Sequence, residues 1–280
     1  MSQSQYLDNL IESALKEDVG HGDLTTQLTM RGDERAAGVA CAKGDFVLAG
    51  LEVFLAVFTR LDPQVRYHPR KQDGEDLVRG DIICELQGGA VPLLAGERVA
   101  LNFLQHLCGI ATLTRRFVEA VRGTKVQILD TRKTVPTLRP LEKYAVRMGG
   151  GRNHRFGLFD GILIKDNHVR LAGGIAEAVR RARRATPQPM PIEVEVATID
   201  ELREALDEEA NVILLDNMTV AQVREAVQIT AGRAILEASG GMSLANIADY
   251  ARTGVDQISI GSLTHSAPAS DISFDMTPLS

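Results

Sequence analysis

Apolar positions first recur at helical spacing between residues 5 and 17, where Tyr6, Leu7, Leu10, Ile11, Ala14 and Leu15 form one stripe closed by Gly20. The texture then changes. From Ala36 to about Leu86, short alternating stretches such as AAGVACAK, QVRYHPR and DIICELQGG are punctuated by Gly and Asp, which predicts an antiparallel sheet around a helical run at 51–60. A long helical stretch follows from about Leu93 to Val121, carrying Arg98, Asn102 and Gln105, with a break expected near Gly109.

Beyond it, strand-like runs that end in a polar residue alternate with helical runs. The strands are VQILDT (126–131), GILIKD (161–166), IEVEV (192–196), VILLDN (212–217), AILEASGG (234–241) and QISIGS (257–262). Helices are expected near 138–148, 174–185, 199–209, 219–229 and 243–252. So long a β-then-α alternation implies parallel strands with crossover helices, and its even spacing favours a barrel over a doubly wound sheet. Six strands are clear, so an incomplete barrel and a full eight both stand at this point. In such barrels the active site lies at the C-terminal ends of the strands.

With 280 residues and 44% hydrophobic content, the chain can bury a substantial core. No run of eighteen apolar residues occurs and the N-terminus is amphipathic and acidic, so a membrane partner is not expected and the cytoplasm is the expected location. Cys41, Cys84 and Cys108 form no CxxC pair and read as buried, reduced thiols. A formal charge of −6 argues against a broad nucleic-acid surface. Any strongly positive region must be local.

The strand ends supply one. Arg132 and Lys133, His154 and Arg155, and Lys165, with Arg98 from the preceding helix, make six cationic or potentially cationic groups at the barrel mouth or its flanks. Such groups repel one another unless anions lie between them. Lys165 closes the apolar strand Ile162-Leu163-Ile164, which suits a solvated surface lysine poorly. On IEVEV, alternation turns Glu193 and Glu195 into the barrel, Glu195 nearer the mouth, and Glu193 reads as structural. Glu195 and Asp216 thus oppose the cations, as suits Mg²⁺-assisted binding of a polyphosphate or an oxocarbenium-like centre. The glycine-rich turns Ser239-Gly240-Gly241 and GSLTHS (261–266) suggest a phosphorylated ligand. A Schiff-base aldolase would also use a strand-end lysine such as Lys165.

Taken in order, ERVALNFLQHLCGIAT (97–112), DTRKT (130–134), KYAVRMGGGRNHRFGL (143–158), ILIKDNH (162–168), EVEV (193–196), LLDN (214–217), EASGG (237–241) and GVDQISIGSLTHS (254–266) resemble the quinolinate phosphoribosyltransferase family over nearly the whole chain. The resemblance implies an α/β protein: an N-terminal α/β sandwich domain over 1–105, completed by 267–280, and an incomplete α/β barrel over 106–266. It implies that quinolinate and phosphoribosyl pyrophosphate, with Mg²⁺ as cofactor, give nicotinate mononucleotide, pyrophosphate and CO₂ in NAD biosynthesis. It further implies a homodimer with shared active sites.

By the same resemblance, Arg132, His154, Arg155 and Lys165 hold the two carboxylates of quinolinate, and Arg98 arrives from the partner subunit. Lys133, Glu195 and Asp216 are the implied catalytic residues. Lys133 faces the pyrophosphate, while Glu195 and Asp216 hold the ribose hydroxyls and the metal. Ser239, Gly240, Gly241, Gly261 and His265 receive the 5-phosphate. The family pattern DTRKTTPGLR is broken here by Val135 and Thr137, and a β-branched Thr replaces a glycine able to adopt positive φ.

Overall fold

The computed structural model describes residues 3–186 and 190–279, with side chains from Gln5 onward in the first helix. The chain forms two compact units. The first takes the residues up to Leu113, the stretch Pro136–Gly150 and the residues from Ala267 on; the second takes Thr114–Val135 and Gly151–Ser266.

In the first unit, four antiparallel strands lie in the order Ile272–Leu279, Arg35–Ala42, Ile82–Gly89, Arg66–Pro69. Small residues alternate to the buried side of Arg35–Ala42: Ala36, Gly38, Ala40 and Ala42. Their size makes room for aromatic rings. A Cβ on Gly38 would lie 2.2 Å from the Phe274 ring. Phe274 in turn stacks on Phe58, with centroids 5.4 Å apart, and meets the edge of Phe54, both from the Leu51–Leu61 helix. Cys84 and Cys108 are buried free thiols and Cys41 is half-buried. Burial pushes the Cys84 thiol up to about 12, so it stays protonated.

The expected break near Gly109 is absent, since one helix runs unbroken from Ala90 to Ala120. A Cβ at Gly109 would lie 2.1 Å from the Pro268 carbonyl oxygen. The glycine serves a close approach of the returning C-terminal segment and not a helix end.

In the second unit, six parallel strands lie in the order Gln127–Leu129, Gln257–Ser259, Ile235–Ser239, Val212–Asp216, Ile192–Val196, Ile162–Ile164. This order is cyclic: the first strand pairs with the last, and among the described residues the only adjacent pair left unjoined is the first and second. Six strands wrapped this way make an incomplete α/β barrel. Each strand is short, three to five residues. The helices expected between them are present, although the one expected over 243–252 covers only Ile247–Ala251. Ile192, Val194 and Val196 are buried on one side of their strand, as the alternation requires. Among the described residues, no helix is long and apolar enough to cross a membrane.

Candidate active site

A cavity of about 570 Å³ opens at the C-terminal ends of the six strands. Twelve of the thirteen residues singled out in the sequence line it: Arg132, Lys133, His154, Arg155, Lys165, Glu195, Asp216, Ser239, Gly240, Gly241, Gly261 and His265. Arg98 does not. It belongs to the first unit, its side chain is 58% exposed, and its nearest counter-charge is Glu97 at 3.9 Å.

One wall is built on Asp130, which ends the first strand and is wholly buried. Its carboxylate accepts from the His154 backbone N–H at 2.8 Å and from Asn153 Nδ2 at 2.6 Å, so this acid anchors the start of the segment Asn153–Arg155. Asp130 was only one strand-end residue among several in the sequence; its anchoring role depends on a partner 24 residues away. Arg155 then turns inward. Its Nη1 donates to the Gly161 carbonyl at 3.0 Å, while its buried Nε has no hydrogen-bond partner among the described residues. Burial first, and then the neighbouring charge of Arg132, hold the Arg155 guanidinium below its ordinary pKa. Two guanidiniums that repel one another beside an unfilled buried N–H form an anion site.

Opposite, Lys165 Nζ is ion-paired with Glu195. Lys165 is 44% exposed and faces a carboxylate, unlike the desolvated lysine that a Schiff-base enzyme requires. Asp216 ends the next strand and accepts from Asn217 Nδ2 at 2.8 Å. Asn217 itself has φ +54°, and its backbone N–H donates to Ser239 O at 2.9 Å. Gly240 must be glycine, because its φ is +95° and a Cβ would lie 2.2 Å from Asn217 Oδ1. Lys133 is steadied by Thr264, whose hydroxyl donates to the Lys133 carbonyl at 2.7 Å. A Cβ on Gly261 would lie 2.9 Å from Lys133 Cδ, so the bare glycine lets the lysine cross it.

The floor holds two acids under one imidazole. His154 Nε2 lies 3.0 Å from Glu193 and 3.7 Å from Glu237, and the three groups sit within 4.8 Å of one another. Glu193, read from the sequence as structural, is thus the hydrogen-bond acceptor of a cavity residue. Glu237 ended a strand in the sequence without a role.

The family models match on both sides of the chain: the quinolinate phosphoribosyl transferase N-terminal domain over residues 23–108 and its C-terminal domain over 110–275. The chain belongs to the quinolinate phosphoribosyltransferase family. It is 46% identical over 272 residues to the nicotinate-nucleotide pyrophosphorylase (carboxylating) of Mycobacterium leprae, covering 95% of each protein. The solved structure of NadC from Streptococcus pyogenes superposes with a TM-score of 0.95 at 41% identity, covering 100% of this chain and 99% of that one. The nicotinate-nucleotide pyrophosphorylase of Francisella tularensis gives 0.94 at 38%, covering 99% and 98%. The enzyme is therefore a phosphoribosyltransferase of the nicotinate-nucleotide pyrophosphorylase (carboxylating) type, acting on quinolinate in NAD biosynthesis.

Proposed function

We propose that the cavity binds quinolinate between Arg132, His154, Arg155 and Lys165, with Arg98 supplied by a second copy of the chain in a cytoplasmic homodimer. The observation that carries this reading is the buried Arg155 Nε, unfilled and beside the guanidinium of Arg132. A planar carboxylate fits such a fork as a bidentate acceptor and relieves the repulsion between the two cations. The half-exposed Arg98, with only Glu97 among the described residues as a loose counter-charge, suits a residue that completes a neighbour's site. The same reading assigns residues 1–105 and 267–280 to an N-terminal sandwich domain and 106–266 to the catalytic barrel.

Lys133 faces the pyrophosphate of phosphoribosyl pyrophosphate, and Glu195 and Asp216 face the ribose. The loops at Ser239, Gly240, Gly241 and Gly261, with His265, receive the 5-phosphate through backbone N–H groups and the imidazole. The carboxylates of Glu195 and Asp216 are hard oxygen donors on adjacent strand ends, a set that fits Mg²⁺ retaining several waters. Held there, Mg²⁺ would offset the charge that builds on the departing pyrophosphate.

As the bond from the anomeric carbon to pyrophosphate breaks, Glu195 and Asp216 stabilise the positive charge that develops on the ribose. The pyridine nitrogen then takes the anomeric carbon and becomes cationic. When the adjacent carboxylate leaves as CO₂, its electron pair remains on the ring carbon beside that cation until a proton from solvent converts it to the C–H of nicotinate mononucleotide, so no organic cofactor is needed. Arg132 and Arg155 supply orientation throughout.

Steady-state kinetics with quinolinate and with nicotinate test this reading. Nicotinate lacks one carboxylate and leaves part of the cationic cluster unpaired, so its specificity constant should be lower by about 100-fold or more. Equal constants would overturn the assignment of these four residues.

A further inference from the structure

The Glu193–Glu237–His154 floor is not explained by substrate binding alone. Glu237 is 1% exposed, and its Oε1 has no hydrogen-bond partner among the described residues. The Arg155 backbone N–H donates to His154 Nδ1 at 2.8 Å, which makes Nδ1 an acceptor and leaves the ring proton on Nε2. That Nε2–H points at Glu193. A metal ion on Nε2 would need that proton gone, so the arrangement favours a protonated floor over a cation bound by the three groups. Were both acids ionised beneath a neutral imidazole, two like charges would sit side by side in a buried place. They would also lie under a site built to take dianionic quinolinate.

We propose that Glu237 is a positioning residue that works as an uncharged acid: with Glu193 accepting the His154 Nε2–H, it holds the His154 ring, and through it the Arg155 segment, in place for the pyridine substrate. Burial and four groups from the surrounding elements act on it. Burial and Glu193, from the Ile192–Val196 strand, raise its pKa to about 7. His154 from the loop, Ser259 from the Gln257–Ser259 strand and Lys165 from the end of Ile162–Ile164 oppose that shift. The inference rests on the assignment of His154 to the quinolinate subsite.

Four proteins test it: wild type, Glu237→Ala, Glu237→Gln and His154→Ala, each assayed for kcat and for KM of both substrates from pH 6 to pH 9. Glu237→Ala should raise the quinolinate KM by about tenfold while changing kcat and the phosphoribosyl pyrophosphate KM by less than about threefold. Glu237→Gln, a neutral isostere, should rescue most of that loss. In the wild type the quinolinate KM should rise as pH passes through the neutral range, and in Glu237→Gln this limb should flatten. A purely structural role would move the unfolding midpoint without changing the pH profile.

A Glu237→Gln enzyme that is folded yet as impaired as Glu237→Ala, or that keeps the wild-type pH profile, overturns the proposal. So does stoichiometric binding of Zn²⁺ or Mn²⁺ to the wild type that Glu237→Gln abolishes. If His154→Ala raises the quinolinate KM and neither Glu237 variant does, this inference fails alone. If His154→Ala leaves that KM unchanged, the subsite assignment fails with it. Should Glu237→Ala not fold, the wild-type and Glu237→Gln pH profiles still decide.

Discussion

The Tyr6 hydroxyl donates a 2.6 Å hydrogen bond to the carbonyl oxygen of Thr137, which is held at φ +69°, in the left-handed region that a β-branched residue rarely enters. Burial, and then the charge of Glu142, push the Tyr6 hydroxyl up to about 12, so it remains a donor at any working pH. The threonine thus keeps the backbone conformation that a glycine would adopt freely, with the N-terminal helix bonded to its carbonyl.

Thr137→Gly should therefore stabilise the protein. Relief of about 1–2 kcal/mol of left-handed strain exceeds the roughly 0.5–1 kcal/mol entropic cost of a new glycine. Tyr6→Phe should destabilise by about 1 kcal/mol, the worth of one hydrogen bond. Thermal melts of both variants check this; a Thr137→Gly protein that melts lower than wild type would show that the threonine side chain contributes more than its backbone costs.

Much of the site was legible before any coordinates because the barrel rule turns a strand list into a site list. Strand ends such as Asp216 and Ser239 could be read off the point where an apolar run stops. Positions that depend on contact across the chain could not. Gly109 looked like a helix end because nothing near it in sequence announces the Pro268 carbonyl. Thr137 looked like a break in a motif, although Tyr6, 131 residues away, donates to its carbonyl. Glu237 stood at a strand end without an assigned role, because its protonation depends on groups from the strands and loop around it.

The same acid should leave a mark on stability. Glu237 has a folded pKa raised from its ordinary value of 4.5 to about 7, so the proton it carries stabilises the native state fully below about pH 4.5. That contribution is lost as pH rises through about 7. The unfolding midpoint of wild type should consequently fall relative to that of Glu237→Gln between pH 5 and pH 8, with the difference flat on either side. A constant difference across this range would mean that Glu237 does not titrate there.

Arg98 gives a prediction about assembly. Arg98→Ala and Lys165→Ala homodimers should each lose nearly all activity. After subunit exchange, some mixed dimers would contain one site with both residues intact, and activity should return towards about a quarter of wild type for random half-and-half mixing. Size-exclusion chromatography with differently labelled chains would verify the exchange. No recovery after verified exchange would place the action of Arg98 within its own chain, or remove it from the site.

Glu195 separates turnover from pyridine binding. It is paired with Lys165, itself assigned to quinolinate, so Glu195→Gln does two things at once. It removes negative charge that would stabilise the ribose as the pyrophosphate leaves, and it frees the Lys165 ammonium for the substrate carboxylate. Turnover should fall by about 100-fold or more, within the range set by losing one charge-stabilising group, while quinolinate should bind equally well or more tightly. Glu193→Gln differs because Glu193 accepts the His154 N–H from the floor: it should weaken quinolinate binding and lower the unfolding midpoint while leaving kcat nearer wild type. Calorimetric titration with quinolinate, turnover at saturating substrates with Mg²⁺, and the unfolding midpoint distinguish the two acids. A Glu195→Gln enzyme with normal turnover, or one whose only defect is lost quinolinate binding, would remove Glu195 from the ribose side of the site.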